Sequence, residues 1–206
     1  EDHPLRVIST FMGAHAIPME YKEDSDKFVE IMINEMLPKV AEMDLASFCD
    51  VFCEEGVFSI DQSRRILLKA KELGLVPKIH ADEIVSLGGA ELSAEVGAIS
   101  AEHLVGASEQ GIKDMAKAGV VAVLLPGTSF NLGKKEPAKA RLMIEEGVPV
   151  ALSTDYNPGS CPTENLQFIM TLASLHLKMK PSEVITAVTM NAAAALGIEE
   201  EVGSIQ

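Results

Sequence analysis

The chain has 206 residues, with 31 Asp and Glu against 17 Lys and Arg and a formal net charge of −14. Its 47% hydrophobic content is ample for a packed core and excludes intrinsic disorder, while roughly 150 residues per domain makes this one large domain or two small ones. The acidic balance excludes a binder of phosphate backbones or anionic membranes, so no nucleic acid and no membrane partner is expected.

Apolar runs of strand length alternate with amphipathic segments of helix length from end to end. In chain order the pattern predicts a strand over residues 6–15 and a helix over 24–42, then a strand over 47–54 and a helix over 61–73. A strand over 76–81 precedes a helix over 87–95, and a strand over 98–104 precedes a helix over 108–118. The last two strands, 120–125 and 148–155, are separated by a helix over 137–146 and followed by helices over 163–178 and 181–195. Gly74, Gly119 and Gly147 each stand between a helix and a strand, as left-handed C-terminal caps should. Pro181, Ser182 and Glu183 mark a helix start, and Asn191 opens an Ala run that Gly197 closes.

Regular strand–helix alternation means a parallel sheet covered by helices, as a closed (β/α)8 barrel or an open doubly wound sheet. Neither the G-x-G-x-x-G of a dinucleotide fold nor a P-loop is present. Polar residues cluster instead directly after strand ends: His15, Glu54 and Glu55, His80 to Glu83, His103, Thr128 and Ser129, and Asp155 to Asn157. Chemistry drawn from the ends of many strands is the way a TIM-like barrel builds its site. The expected fold is therefore an α/β barrel, represented by six βα units rather than eight.

No stretch approaches the ~18 apolar residues of a membrane span, and the acidic start Glu1-Asp2-His3-Pro4 is unlike a signal peptide. Cys49, Cys53 and Cys161 cannot all pair, which points to reduced thiols and a cytoplasmic location. Cys49 and Cys53 share one face of a strand, read as buried core thiols rather than a zinc knuckle. The ten methionines read as core filler.

Of five histidines, His3 reads as a solvated terminal residue and His176 as a surface residue at a helix end. The other three end strands on one rim. His80 is followed by Ala81-Asp82-Glu83, which puts a carboxylate on the loop above an imidazole suited to zinc or iron. Ala151, Ser153 and Asp155 alternate, so small residues lead to an inward carboxylate, although an N-cap or loop-bracing role fits Asp155 as well. Asn157-Pro158-Gly159 is a tight turn able to present backbone N–H groups to a ligand. Glu54 reads as a rim carboxylate binding water or a lid.

Six motifs in order carry a resemblance: F-M-G-A-H-A-I-P from Phe11, K-I-H-A-D-E from Lys78, S-A-E-H-L from Ser100, L-P-G-T from Leu125, S-T-D-Y-N-P-G-S from Ser153 and N-A-A-A-A-L-G from Asn191. Together they resemble the imidazolonepropionases of the amidohydrolase superfamily, across nearly the whole chain. The resemblance implies hydrolysis of 4-imidazolone-5-propanoate to N-formimidoyl-L-glutamate with one divalent metal, zinc or iron. It implies His80 and Asp155 as metal ligands, Glu83 as the acid/base, and His103 as a catalytic histidine acting on the ring carbonyl or oxyanion. It further implies His15 as a substrate-binding residue, with Asn157, Gly159 and Ser160 in the loop that holds the substrate. A full-length protein of this kind can form a homodimer.

The sequence departs from that pattern too. It has no H-x-H pair, which the family places on its first barrel strand, and it lacks the upstream Arg and Tyr that hold the propionate. It therefore reads as the third to eighth barrel strands of a longer protein, with residues 1–198 in the barrel and 199–206 starting the return into a small β-sandwich. Two consequences are expected: an exposed apolar seam beside residues 6–11 and 148–152, and a metal held weakly by two ligands. The competing readings are another amidohydrolase, such as a ring deaminase, and a catalytically silent piece that needs its other half.

Overall fold

The structure, a computed structural model, describes residues 5–205; His3 lies outside them. Among the described residues six strands form one sheet, each parallel to the next and in sequence order. They are β1 (Thr10–Ala14), β2 (Phe48–Cys53), β3 (Val76–Ala81), β4 (Ser100–His103), β5 (Val121–Leu124) and β6 (Val150–Leu152). Every predicted strand exists, though most are shorter than expected; β6 stops at Leu152, so Ser153 to Asp155 are loop.

Helices carry the chain back between strands. The first crossover runs through α1 (Ser25–Ile31), a π turn (Met32–Met36) and α2 (Leu37–Glu42). The sequence pattern predicts one uninterrupted helix there. Pro38 explains the difference, since its ring has no N–H and crowds the carbonyl four residues earlier, inside the widened turn. Then come α3 (Ile60–Glu72), α4 (Gly89–Val96), α5 (Glu109–Ala118), α6 (Pro126–Asn131) and α7 (Ala140–Glu145). After β6 follow α8 (Leu166–Leu175), α9 (Pro181–Val188) and α10 (Met190–Ala195). The single helix expected over 181–195 is thus two, broken at Thr189 (φ −123°, ψ −91°), whose hydroxyl donates back to Ile185 O. Side-chain caps start several helices: Asp24 accepts from Lys27 N, Ser59 and Gln62 form a reciprocal box, and Ser108 accepts from Gly111 N. Gly74, Gly119 and Gly147 all have positive φ, as their positions between helix and strand require.

In a parallel sheet, register partners share a face. One row of partners is Phe52, His80, Glu102, Val123 and Ala151, and the row beneath is Asp50, Lys78, Ser100 and Val121. Both rows face the barrel interior, where Val121, Val123, Leu125, Ala151 and Ala195 form a small apolar cluster. The opposite face carries Cys49, Val51, Ile79, Ala101 and Ala122, all buried against the helices in the main core. Lys78 and Glu102 are both buried; Lys78 Nζ donates to Ser100 Oγ, to Glu102 Oε1 (3.2 Å) and to Ala195 O (3.0 Å), which ties α10 to the barrel floor.

The expected apolar seam is present on one side only. Val7 is exposed ahead of β1, whereas Val148, Val150 and Leu152 are buried, because α8, α9 and α10 pack on β6. The Asn191 amide donates to Val150 O and satisfies a carbonyl of that strand. Among the described residues, no helix is long and apolar enough to cross a membrane.

Candidate active site

The C-terminal ends of the strands open into a cavity of about 730 Å³. Seven of the eight residues singled out from sequence line it: His15, His80, Glu83, His103, Asp155, Asn157 and Ser160. Gly159 is outside the lining and exposed.

His15 follows β1, and His80 lies on β3 in the inward row. One oxygen of Asp50, buried on β2 between them, accepts from both rings: His15 Nε2 at 3.0 Å and His80 Nδ1 at 2.8 Å. The two rings meet edge to face with centroids 4.6 Å apart. Burial opposes the charge on Asp50, but His80 and the hydrogen bond from His15 outweigh it and hold the carboxyl well below its usual range. Burial likewise opposes a charged His80, yet the charge and hydrogen bond of Asp50 raise that ring to about 9. Asp50 also fixes the tautomer. With Nδ1–H committed to the carboxylate, Nε2 of His80 is the atom that becomes a ligand once a metal displaces its proton.

His103 ends β4. Strand alternation would place it with Ala101 on the helix-facing side, but its left-handed backbone (φ 70°) swings the ring to the cavity, 5.1 Å from that of His80 between centroids. Burial and the adjacent charge of His80 lower its pKa to about 3, so the ring is neutral. Glu83 Oε2 lies 3.7 Å from His103 Nε2, and burial raises the Glu83 carboxyl above its usual value against the pull of His80 and Lys134.

Asp155 also has positive φ (53°), and its Oδ2 accepts from Thr128 Oγ1 at 2.6 Å. Thr128 lies in α6, a short helix absent from the sequence expectation, which Pro126 starts. Gly127 lets that helix approach: a Cβ there would stand 2.7 Å from Ile169 Cδ1 and 2.8 Å from Cys161 Sγ. The Asn157 turn differs from expectation in one respect. Asn157 Oδ1 itself accepts from Gly159 N (2.9 Å) and Ser160 N (2.7 Å), so those N–H groups brace the loop rather than await a ligand.

Donor atoms of His80, His103 and Asp155 all lie within 4.8 Å of one another. Two imidazoles and a carboxylate, with Nε2 of His80 left available, fit a zinc or iron ion. The family resemblance implies His80 and Asp155 as the ligands; the structure brings a third donor, His103, to the same place. Sequence reasoning missed Asp50, whose signal was a charge in the middle of the apolar run Phe48–Cys53. Glu54 departs from its expected role. It is 1% exposed rather than on an open rim, and its oxygens accept from the backbone N–H groups of Glu55, Ile84 and Val85.

Residues 58–206 match the family model described as Amidohydrolase family. The chain belongs to the amidohydrolase family. It is 64% identical over its full 206 residues to an imidazolonepropionase of Alkaliphilus metalliredigens, covering 49% of that protein. It is 63% identical, over 205 residues and 46% of the relative, to an imidazolonepropionase of Shouchella clausii. The chain spans about half the length of the curated relatives it matches. Among solved structures it resembles an adenosine deaminase from Xanthomonas campestris with bound zinc, with a TM-score of 0.71, 18% identity, and coverage of 98% of this chain and 50% of the other. A triazine hydrolase variant gives a TM-score of 0.72 at 14% identity, covering 98% of this chain and 51% of that one. At such identities the likeness speaks for the fold, and the amidohydrolase fold accounts for a six-stranded parallel arrangement as part of a TIM-like barrel.

Proposed function

We propose that this chain is the third to eighth βα units of an imidazolonepropionase, whose whole chain hydrolyses 4-imidazolone-5-propanoate to N-formimidoyl-L-glutamate in histidine degradation. One observation carries the reading: a chain 64% identical throughout to a protein of that name gathers His15, His80, Glu83, His103 and Asp155 around one cavity. In this reading residues 1–198 belong to the barrel and 199–206 begin the return to a β-sandwich. The protein works in the cytoplasm on a small molecule, without nucleic acid, and can pair as a homodimer.

A zinc or iron ion held by His80 and Asp155 would supply Lewis acidity for the attacking water and the ring carbonyl. Glu83, its pKa raised by burial, takes a proton from water and returns it to the ring nitrogen. Water adds to the carbonyl carbon, the carbonyl–nitrogen bond breaks, and the products are a carboxylate and the formimidoyl amine. Neutral His103, 3.7 Å from Glu83, can donate a hydrogen bond to the carbonyl oxygen as it gains charge. His15, aimed by Asp50, contacts the substrate from the β1 side, and the braced loop of Asn157 and Ser160 walls the opposite side.

The test is an assay of imidazolone absorbance with the full-length protein beside its Glu83→Gln variant. The variant should keep its metal and lose roughly a hundredfold or more in turnover. Release of ammonia from an amino-substituted ring, with the imidazolone untouched, would favour a deaminase instead.

A further inference from the structure

A general acid/base must be aimed to within a fraction of an ångström, yet Glu83 stands on the irregular segment between β3 and α4. Apolar packing reaches only its far end, where Leu87 meets the core; Ile84, next to Glu83, is 62% exposed. Two buried carboxylates hold the segment. Asp82 anchors its far end, accepting from Leu87, Gly88, Gly89 and Ala90 N at 2.8 to 3.1 Å. Glu54 comes from the end of the neighbouring strand and takes the near end. Its Oε2 accepts from Ile84 N at 2.8 Å, and its Oε1 from Val85 N at 3.3 Å and Glu55 N at 3.0 Å. A buried carboxylate is costly to desolvate unless it is well satisfied, and these N–H groups satisfy it.

We propose that Glu54 is a positioning residue for Glu83, clamping the peptide units just after it so that the acid/base carboxyl is held over the cavity. Glu54 does not line the cavity, so it acts through the backbone of Ile84 and Val85. A carboxylate is needed because both oxygens accept. The amide of Gln would set its NH2 against a backbone N–H on one side.

The kinetic part of this inference rests on the hydrolase reading above. In the full-length protein, Glu54→Gln should lower kcat by about tenfold or more, with KM and metal content unchanged. Amide hydrogen exchange at Ile84 and Val85 should quicken. The same substitution on a Glu83→Gln background should cost nothing further, because the clamp acts only through Glu83. Glu54→Asp, which keeps the charge on a shorter arm, is the second variant should Glu54→Gln fail to fold, and should fall between wild type and Glu54→Gln. Unchanged turnover despite faster exchange, loss of metal in step with activity, or an equal loss on the Glu83→Gln background would each overturn the proposal. A wild-type protein that leaves the imidazolone intact sinks the substrate reading instead, and exchange at the two amides still decides the clamp.

Discussion

Asp50 is the residue on which most of the site's geometry converges, since one of its oxygens orients both His15 and His80. Asp50→Ala should leave the fold intact, because the strand keeps its ladder, but it frees the His80 ring to rotate and to choose the other tautomer. Metal affinity should fall roughly 10- to 100-fold, read by a zinc titration against a competing chelator; an unchanged affinity would detach Asp50 from the site. The same carboxylate acts on its other neighbour. Burial, and then the charge of Asp50, push the Cys49 thiol up to about 12, so the thiolate is scarce at pH 8. Native protein should therefore resist iodoacetamide at Cys49, and at Cys53, where burial raises the thiol to about 11. Peptide mapping after alkylation checks this, with urea-unfolded protein as the reactive control. The two cysteines were legible from strand alternation alone, whereas Asp50 was not: alternation identifies its face but cannot say that two histidines from other strands will meet there.

The elements were legible wherever hydrophobic period and caps agreed, as in β3, which begins and ends where expected, and α5, whose Ser108 cap and Gly119 stop are both visible in the sequence. They were not legible where a local device overrides the pattern, as in the π turn before Pro38, the break at Thr189 and the Pro126 helix. Strand ends were hardest of all. His103 (φ 70°) at the end of β4, Asp82 (φ 50°) just past β3 and Asp155 (φ 53°) in the loop after β6 adopt left-handed conformations that alternation cannot anticipate, and each re-aims a carboxylate or an imidazole. For His103 the motif likeness located the ring where strand parity would have turned it away. Such strained ends need compensation, and at Asp82 it is explicit: the side chain satisfies four N–H groups at the start of α4, where Gly88 (φ 100°) offers no side-chain cap. Asp82→Ala should cost about 3 kcal/mol, the loss of several charged hydrogen bonds partly offset by relief of the left-handed backbone. Urea unfolding measures it, and a loss below about 1 kcal/mol would mean that water replaces the carboxylate.

The whole molecule assigns two different tasks to one histidine. Within the chain as given, His80, His103 and Asp155 are a three-donor set, and three protein ligands are what a catalytic zinc site requires. The resemblance to imidazolonepropionases implies instead that an H-x-H pair from the family's first barrel strand joins His80 and Asp155, which releases His103 to work on the substrate. These assignments differ in what His103→Asn does. In the 206-residue chain alone it should lower zinc binding at least tenfold, because removing one of three donors leaves a site that holds a borderline cation poorly. In the full-length protein the same substitution should leave one metal per chain in place and abolish most of the turnover, since neutral His103 then acts only on the carbonyl oxygen. Metal analysis of both proteins and both variants, beside the imidazolone assay, separates the cases. Equal loss of zinc in the two backgrounds would make His103 a permanent ligand and take it out of the chemistry; no loss in either would remove His103 from the metal-holding donors of this chain.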